Sequence, residues 1–399
     1  MAAAWNQKAR KWVDGRESVF QELQARMQPG KPIIWMHCSS LGEFEQGRPV
    51  LEKISKENPG YKTLITFFSP SGFEVRKNYA GADHIFYLPL GTHATARRFV
   101  EIVNPSLVLW IKYEYWYHYL VVLKEKEIPV LLVSAIFRKE QPFFKWYGKL
   151  HREMLLCFTH FFVQTSSSKT LLSTIGFNKD ITVNGDTRFD RVIEIAENAK
   201  SIETIDKFCR DHVTIVAGST WPEDEEELDH YANQHPEIRF IIAPHEIDEK
   251  HLVEIEKLFK ASVRYSVLNE KGSAAAVGIN TLIIDNIGML SRLYKYATIT
   301  YVGGAFGNDG VHNVLEAAVY GKPVIFGPVF EKYSEAIDLV ENGGGFSVET
   351  AVELEQIFTK LLSDQQLYEK TCDASRQYIY NNKGASERIV RYIRREGLI

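Results

Sequence analysis

The sequence predicts an α/β protein made of two parallel-sheet domains. Three observations carry this. Short apolar runs alternate with helix-length segments along the whole chain. The alternation restarts after residue 210 with the same grammar. The length of 399 residues exceeds what one hydrophobic core usually organises.

Residues 5–31 come first. They hold six Lys or Arg against three acidic residues, with Trp5, Trp12, Val13, Phe20 and Leu23 interspersed. The segment reads as a basic amphipathic helix, packed on its own domain or lying on a membrane surface. Residues 33–37 read as a strand, and Cys38-Ser39-Ser40-Leu41-Gly42-Glu43 turns into a helix through about residue 54. Further strands fall at 63–68, 84–88, 107–111, 129–134, 161–164 and 181–183. Helices are expected from residue 73 and over 95–103 and 115–126. Such repeats mean a parallel sheet covered on both faces, with ligands beyond the C-terminal ends of its strands. Glu43, Glu114 and Arg138 each follow a strand and are expected on one rim. The segment 138–152 carries five Lys or Arg against one Glu, interleaved with Phe143, Phe144, Trp146 and Tyr147. It suits an anionic amphiphile at a membrane interface, a packed aromatic helix face, or single-stranded nucleic acid.

A polar helix is expected to run to about residue 210, and the second half then restarts with strands at 213–217, 239–243 and 281–284. Gly218-Ser219-Thr220-Trp221-Pro222 leads into an acidic run over 223–228, read as a solvated helix start whose carboxylates complement the dipole. The densest stretch is 301–328. A strand ends in Gly303-Gly304, a loop follows through Gly307, Asn308, Asp309 and Gly310, and His312-Asn313 precede a run of helix formers containing Glu316. Asn313 is expected as the N-cap. A glycine turn beside a helix start suits a phosphate, the alternative being a tight turn without a ligand. The chain ends in a long polar amphipathic helix over 367–395. The expected domains are therefore 1–195 and 211–370, with 371–399 as a helix packing back on the first.

Composition narrows the function classes. A net charge of −4 argues against a general nucleic-acid binder. Cys38, Cys157, Cys209 and Cys372 are scattered, which fits neither a zinc site nor a disulfide framework. No run approaches the roughly 18 apolar residues of a spanning helix. Dinucleotide, P-loop, G-x-S-x-G and HExxH motifs are all missing.

The ordered motifs resemble the 3-deoxy-D-manno-octulosonic acid (Kdo) transferases of lipopolysaccharide assembly. His37-Cys38-Ser39-Ser40-Leu41-Gly42-Glu43 resembles their H-x-x-S-x-G-E segment, and Tyr113-Glu114-Tyr115-Trp116 their E-x-E-L-W-P segment. Gly185-Asp186-Thr187-Arg188-Phe189-Asp190 is similar to G-x-x-K-F-D. Residues 303–318 resemble G-G-S-x-x-x-x-G-G-H-N-x-L-E-A-A, the most specific match. The chain departs from the family at Pro244-His245-Glu246, where P-R-H is usual. It departs again at Asp285-Asn286-Ile287-Gly288-Met289-Leu290, which loses a Glu, at Lys112 and Tyr117, and at Ser134-Ala135-Ile136.

The resemblance implies a GT-B glycosyltransferase, with two Rossmann-like parallel-sheet domains facing a central cleft. It implies CMP-Kdo as donor, a lipid A precursor as acceptor, inversion at the anomeric carbon, and no cofactor or metal. Glu43 is the implied general base, with Ser40, Gly42, Glu114 and Arg138 on the acceptor side. Arg188, Ser219, Thr220, His245, Gly288, Gly304, His312, Asn313 and Glu316 are the implied donor contacts. The expected location is the cytoplasmic face of the bacterial inner membrane, peripheral or through an anchor absent from this sequence. A UDP-sugar glycosyltransferase or epimerase and a non-enzymatic lipid A-binding protein are the alternatives.

Overall fold

The computed structural model describes residues 7–27, 30–308 and 310–399. Trp5 and Asp309, noted above, and the side chain of Lys8, one of the six Lys or Arg of residues 5–31, lie outside them. Two compact units are present, and the chain changes unit at Arg191–Val192 and again at Asn382–Lys383.

The first unit holds β1 (Ile33–Cys38), β2 (Lys62–Phe67), β3 (His84–Tyr87), β4 (Pro105–Ile111), β5 (Val130–Ala135), β6 (His160–Val163) and β7 (Ile181–Val183). They form one sheet in the order β3-β2-β1-β4-β5-β6-β7, with every pairing parallel. Side chains alternate across it. Trp35, Leu64, Val108, Trp110 and Leu132 enter one core, while Ile34, Met36, Ile65, Leu109 and Leu131 enter the other. Burial on both faces is why these strands read as continuous apolar runs. The chain leaves β1 for β2 on one side and has β4 on the other, so the topological switch point lies between β1 and β4.

The second unit holds β8 (Thr214–Thr220), β9 (Arg239–Pro244), β10 (Ser262–Arg264), β11 (Thr281–Ile283), β12 (Ile299–Val302), β13 (Val324–Phe326) and β14 (Gly345–Ser347). Their order is β10-β11-β9-β8-β12-β13-β14, again all parallel, and the switch point lies between β8 and β12.

Three helical expectations change. The N-terminal basic segment is two helices, Gln7–Glu17 and Val19–Arg26, parted at Ser18. The polar helix after β7 is likewise split, into Arg188–Glu197 and Glu203–Cys209. The terminal helix is also two, Gln365–Asn381 in the second unit and Ala385–Arg395 in the first. Its break is at Gly384, whose φ of 94° a side chain would strain. The break is then fixed by Asp190, which accepts from the Gly384 amide at 2.5 Å and the Ser386 amide at 2.6 Å. Asn184 donates to the Ala385 carbonyl, and Arg388 donates back to Asn184. Ile389, Val390 and Ile393 then complete the core of the first unit.

Asp190→Ala removes the acceptor of two amides at once. It is expected to lower the unfolding free energy by about 2–3 kcal/mol. A urea melt checks the loss, and proteolysis near Gly384 is expected to accelerate.

Candidate active site

In the first unit the candidate residues gather at the C-terminal ends of β1, β4 and β5. Ser40 caps the helix Leu41–Glu57 by accepting from the Glu43 amide, which sets Glu43 in the first turn. The Glu43 carboxylate turns back and accepts from the Ser39 amide at 2.5 Å. It is only 7% exposed. Burial pushes its pKa from an ordinary 4.5 to about 7, against the Ser39 hydrogen bond and Lys112, with Glu114 adding to the rise. Glu114 is itself raised by burial, against hydrogen bonding from Ser39. Two carboxylates thus share one serine at the switch point. Such a group, half ionised near neutrality, is suited to take a proton.

The cationic partners are close by. Lys112 lies over the Tyr113 ring at 4.9 Å and Arg138 at 5.9 Å. Arg188, expected at the donor, lies in the first unit and forks onto Asp186, with Nε and a terminal nitrogen both 2.8 Å from Oδ2. Asp186 is held in turn by Gln46. Gly42 is exposed, and a side chain there would meet almost nothing. Lys112 and Ser134 have φ of 64° and 54°. Left-handed non-glycine residues cost energy, and they stand here at the strand ends that form the rim. His37, the first residue of its motif, is a core residue. Burial lowers its pKa to about 3, so it stays neutral.

The basic-aromatic segment divides. Phe143 is buried and packs on Tyr115 and Phe137. Trp146 is 91% exposed, beside exposed Tyr147 and Leu150.

In the second unit, residues from β8, β9 and β12 meet. Ser219 sits at a bulge in β8 with φ 55°. Gly303 passes so close to the Ser219 carbonyl that a Cβ would lie 2.4 Å from it. The amides of the glycine turn are occupied: Gly303 donates to Gly218, and Gly304 to Asp224 at 2.8 Å. The Thr220 hydroxyl donates to Glu225. These two amides are therefore not open to a ligand, and side chains stand beside them. Trp221 donates from Nε1 to His312 Nε2 at 3.0 Å in a nearly coplanar pair, and His245 stacks over both, at 4.8 Å and 4.4 Å. Accepting at Nε2 leaves His312 with its proton on Nδ1.

Asn313 is not an N-cap. The helix is short, Leu315–Ala318, and Val314 precedes it. Asn313 instead donates to Glu316 at 2.9 Å, and its Oδ1 is buried without a hydrogen-bond partner among the described residues. Gly288, with φ 92°, is on an exposed turn after β11, beside an Ile287 that is 92% exposed.

The acidic run is not simply a solvated helix start. Asp224 is fully buried and accepts from Tyr301, Gly304 and Trp221. Glu225, 1% exposed, joins Thr220 to His251. Burial raises both carboxyls; for His251 burial pulls the pKa down, but Glu225 outweighs it and the net shift is upward. A charge count over 223–228 hides these two among three acidic neighbours that are partly or fully exposed.

Comparison with known proteins bears on this arrangement. The fold is that of GT-B glycosyltransferases and related epimerases. UDP-GlcNAc 2-epimerase from Neisseria meningitidis superposes with a TM-score of 0.64 at 18% identity, over 91% of this chain and 100% of that one. MurG from Acinetobacter baumannii gives 0.56 at 13% identity, over 92% and 100%. The family model described as 3-deoxy-D-manno-octulosonic-acid transferase matches residues 15–191. The 3-deoxy-D-manno-octulosonic acid transferase of Aquifex aeolicus is 27% identical over 340 residues, 84% of this chain and 87% of that protein. The Haemophilus influenzae protein of the same name is 25% identical over 370 residues, 90% and 85%. The chain is thus similar to Kdo transferases, through a family domain matched in its N-terminal half and through relatives of that name along most of its length.

The Glu43 pKa gives a stability prediction with a definite sign. Its folded value lies above the unfolded one, so ionisation costs stability as pH rises from about 4.5 to about 7. Glu43→Gln is expected to raise the melting temperature at pH 8 and leave it nearly unchanged at pH 4. Calorimetry at both pH values checks this. Asp224→Ala strands three donors and is expected to cost about 3 kcal/mol or more.

Proposed function

We propose that this protein transfers Kdo from CMP-Kdo to a sugar hydroxyl of a lipid A precursor, with inversion and without a metal. The observation that carries the reading is the buried Glu43 at the β1–β4 switch point, with a pKa near 7, inside a matched Kdo transferase domain. Glu43 takes the acceptor proton as the hydroxyl oxygen bonds to the anomeric carbon. The bond from that carbon to the phosphate oxygen breaks, and CMP leaves with its electron pair. A phosphate leaving group needs charge stabilisation more than an acid. Lys112, Arg138 and Arg188 supply cationic charge near Glu43 for the Kdo carboxylate or the phosphate.

In this reading the second unit holds the nucleotide. The Trp221–His312–His245 stack offers a flat surface for a base, and the unpaired Asn313 Oδ1 beside Glu316 fits a ligand N–H or O–H. Location at the cytoplasmic face of the inner membrane is supported by Trp146, Tyr147 and Leu150, exposed next to Lys145 and Lys149. Among the described residues no helix is long and apolar enough to cross a membrane. The contact proposed for this part of the chain is peripheral.

Two experiments test the reading. Glu43→Gln is expected to lower kcat for Kdo transfer by about 10²–10⁴-fold while CMP still raises the melting temperature. Wild-type kcat/KM is expected to climb with pH and level off above about 7. Transfer by Glu43→Gln at the wild-type rate removes Glu43 as the base. A thermal shift produced by UDP and not by CMP favours a UDP-sugar enzyme instead.

A further inference from the structure

The N-terminal helix Gln7–Glu17 has no role in the reading above, yet it is tied to the rim that carries Glu43. The tie is Arg16. Its guanidinium donates to the Trp12 carbonyl at 2.7 Å, the Phe68 carbonyl at 2.6 Å and the Leu88 carbonyl at 3.0 Å. It also lies over the rings of Trp12, Phe68 and Tyr87, at 4.3, 5.4 and 4.6 Å. A cation with three carbonyl acceptors and three aromatic faces holds the helix at the C-terminal ends of β2 and β3.

What this places there is a row of rings. Trp12 meets Phe68 edge-on at 5.8 Å, and Phe68 meets Trp116 at 5.0 Å. All three are only partly buried. The row is one hydrogen-bonded step from the candidate base. Phe68 donates its amide to the Cys38 carbonyl at 3.2 Å, and Ser69 to the Ser39 carbonyl at 2.8 Å. Ser39 is the residue whose amide holds Glu43. Trp116 follows two residues after Glu114, whose backbone carbonyl accepts from Trp110. Phe68 and Trp116 thus flank the two carboxylates, from β2 and β4.

We propose that Trp12, Phe68 and Trp116 form a sugar-stacking ledge that positions the acceptor ring over Glu43. This rests on the transferase reading. An acceptor hydroxyl must come within about 3 Å of the base, so the ring bearing it reaches the residue on the neighbouring strand. A pyranose presents one face of C–H groups, and half-exposed aromatic rings are the surface that face packs on. Correct placement there counts directly in rate, since misplacement by about 1 Å is costly. Trp12 and Phe68 are positioning residues, and the N-terminal helix is part of the substrate site.

The test compares Phe68→Ala and Trp12→Ala with wild type in Kdo transfer, using a lipid A precursor and the same disaccharide stripped of its acyl chains. Each variant is expected to raise KM for both acceptors by about tenfold while leaving KM for CMP-Kdo within about twofold. Phe68→Tyr and Trp12→Phe are expected to restore most of the loss. An effect confined to the acylated acceptor makes the ledge an acyl-chain contact and overturns the proposal. Unchanged acceptor KM in Trp12→Ala and Phe68→Ala, with normal wild-type turnover, overturns it while sparing the transferase reading. Absence of Kdo transfer by wild type overturns both.

Discussion

A carboxylate taken out of water at the end of the central strand governs the first unit. Glu43 can be buried because the Ser39 amide satisfies one oxygen and Lys112 offsets part of its charge. The surrounding structure is arranged around that cost. Ser40 fixes the helix start, Glu114 raises the proton affinity further, and Gln46, one turn along the same helix, holds Asp186 against Arg188. Thr187 donates to the Gln46 carbonyl, and its Oγ1 lies 2.9 Å from the buried Ser134 hydroxyl. β1, β5 and the chain after β7 are thereby fastened to the helix that carries Glu43, the proposed base.

The second unit repeats the topology and answers a different need. Its glycine turn spends its amides within the fold, and two buried carboxyls support the rim from beneath. What the proposed nucleotide site offers is the set of rings and the Asn313–Glu316 pair. At Pro244-His245-Glu246 the histidine joins an aromatic stack. A stack offers a flat surface and adds little fixed charge, so in the proposed reading any phosphate would be met by other residues.

Much of this was legible in the sequence. Parallel strands buried on both faces are apolar throughout, so their order along the chain and the strand-to-helix turns stood out. Glu43, Glu114 and Arg138 were placeable because ligand sites of such sheets follow strand ends. Asp224 and Glu225 were not, because burial of a carboxylate depends on Tyr301, Gly304 and His251, which are distant in sequence. The glycine turn misled for a related reason: free amides are a local property, and Asp224 satisfies one from 80 positions away. Arg16 and Phe68 were silent for lack of any local motif, since the contact spans 52 residues. The break at Gly384 was visible as a glycine but not as a change of unit, which depends on Asp190.

The most direct measurement is mass spectrometry of a lipid A precursor incubated with this protein and CMP-Kdo, beside a parallel incubation with UDP-sugars. The account predicts a product heavier by whole Kdo residues with CMP-Kdo, and unchanged precursor with UDP-sugars. An unchanged precursor with CMP-Kdo, or sugar transfer from a UDP donor, would contradict it.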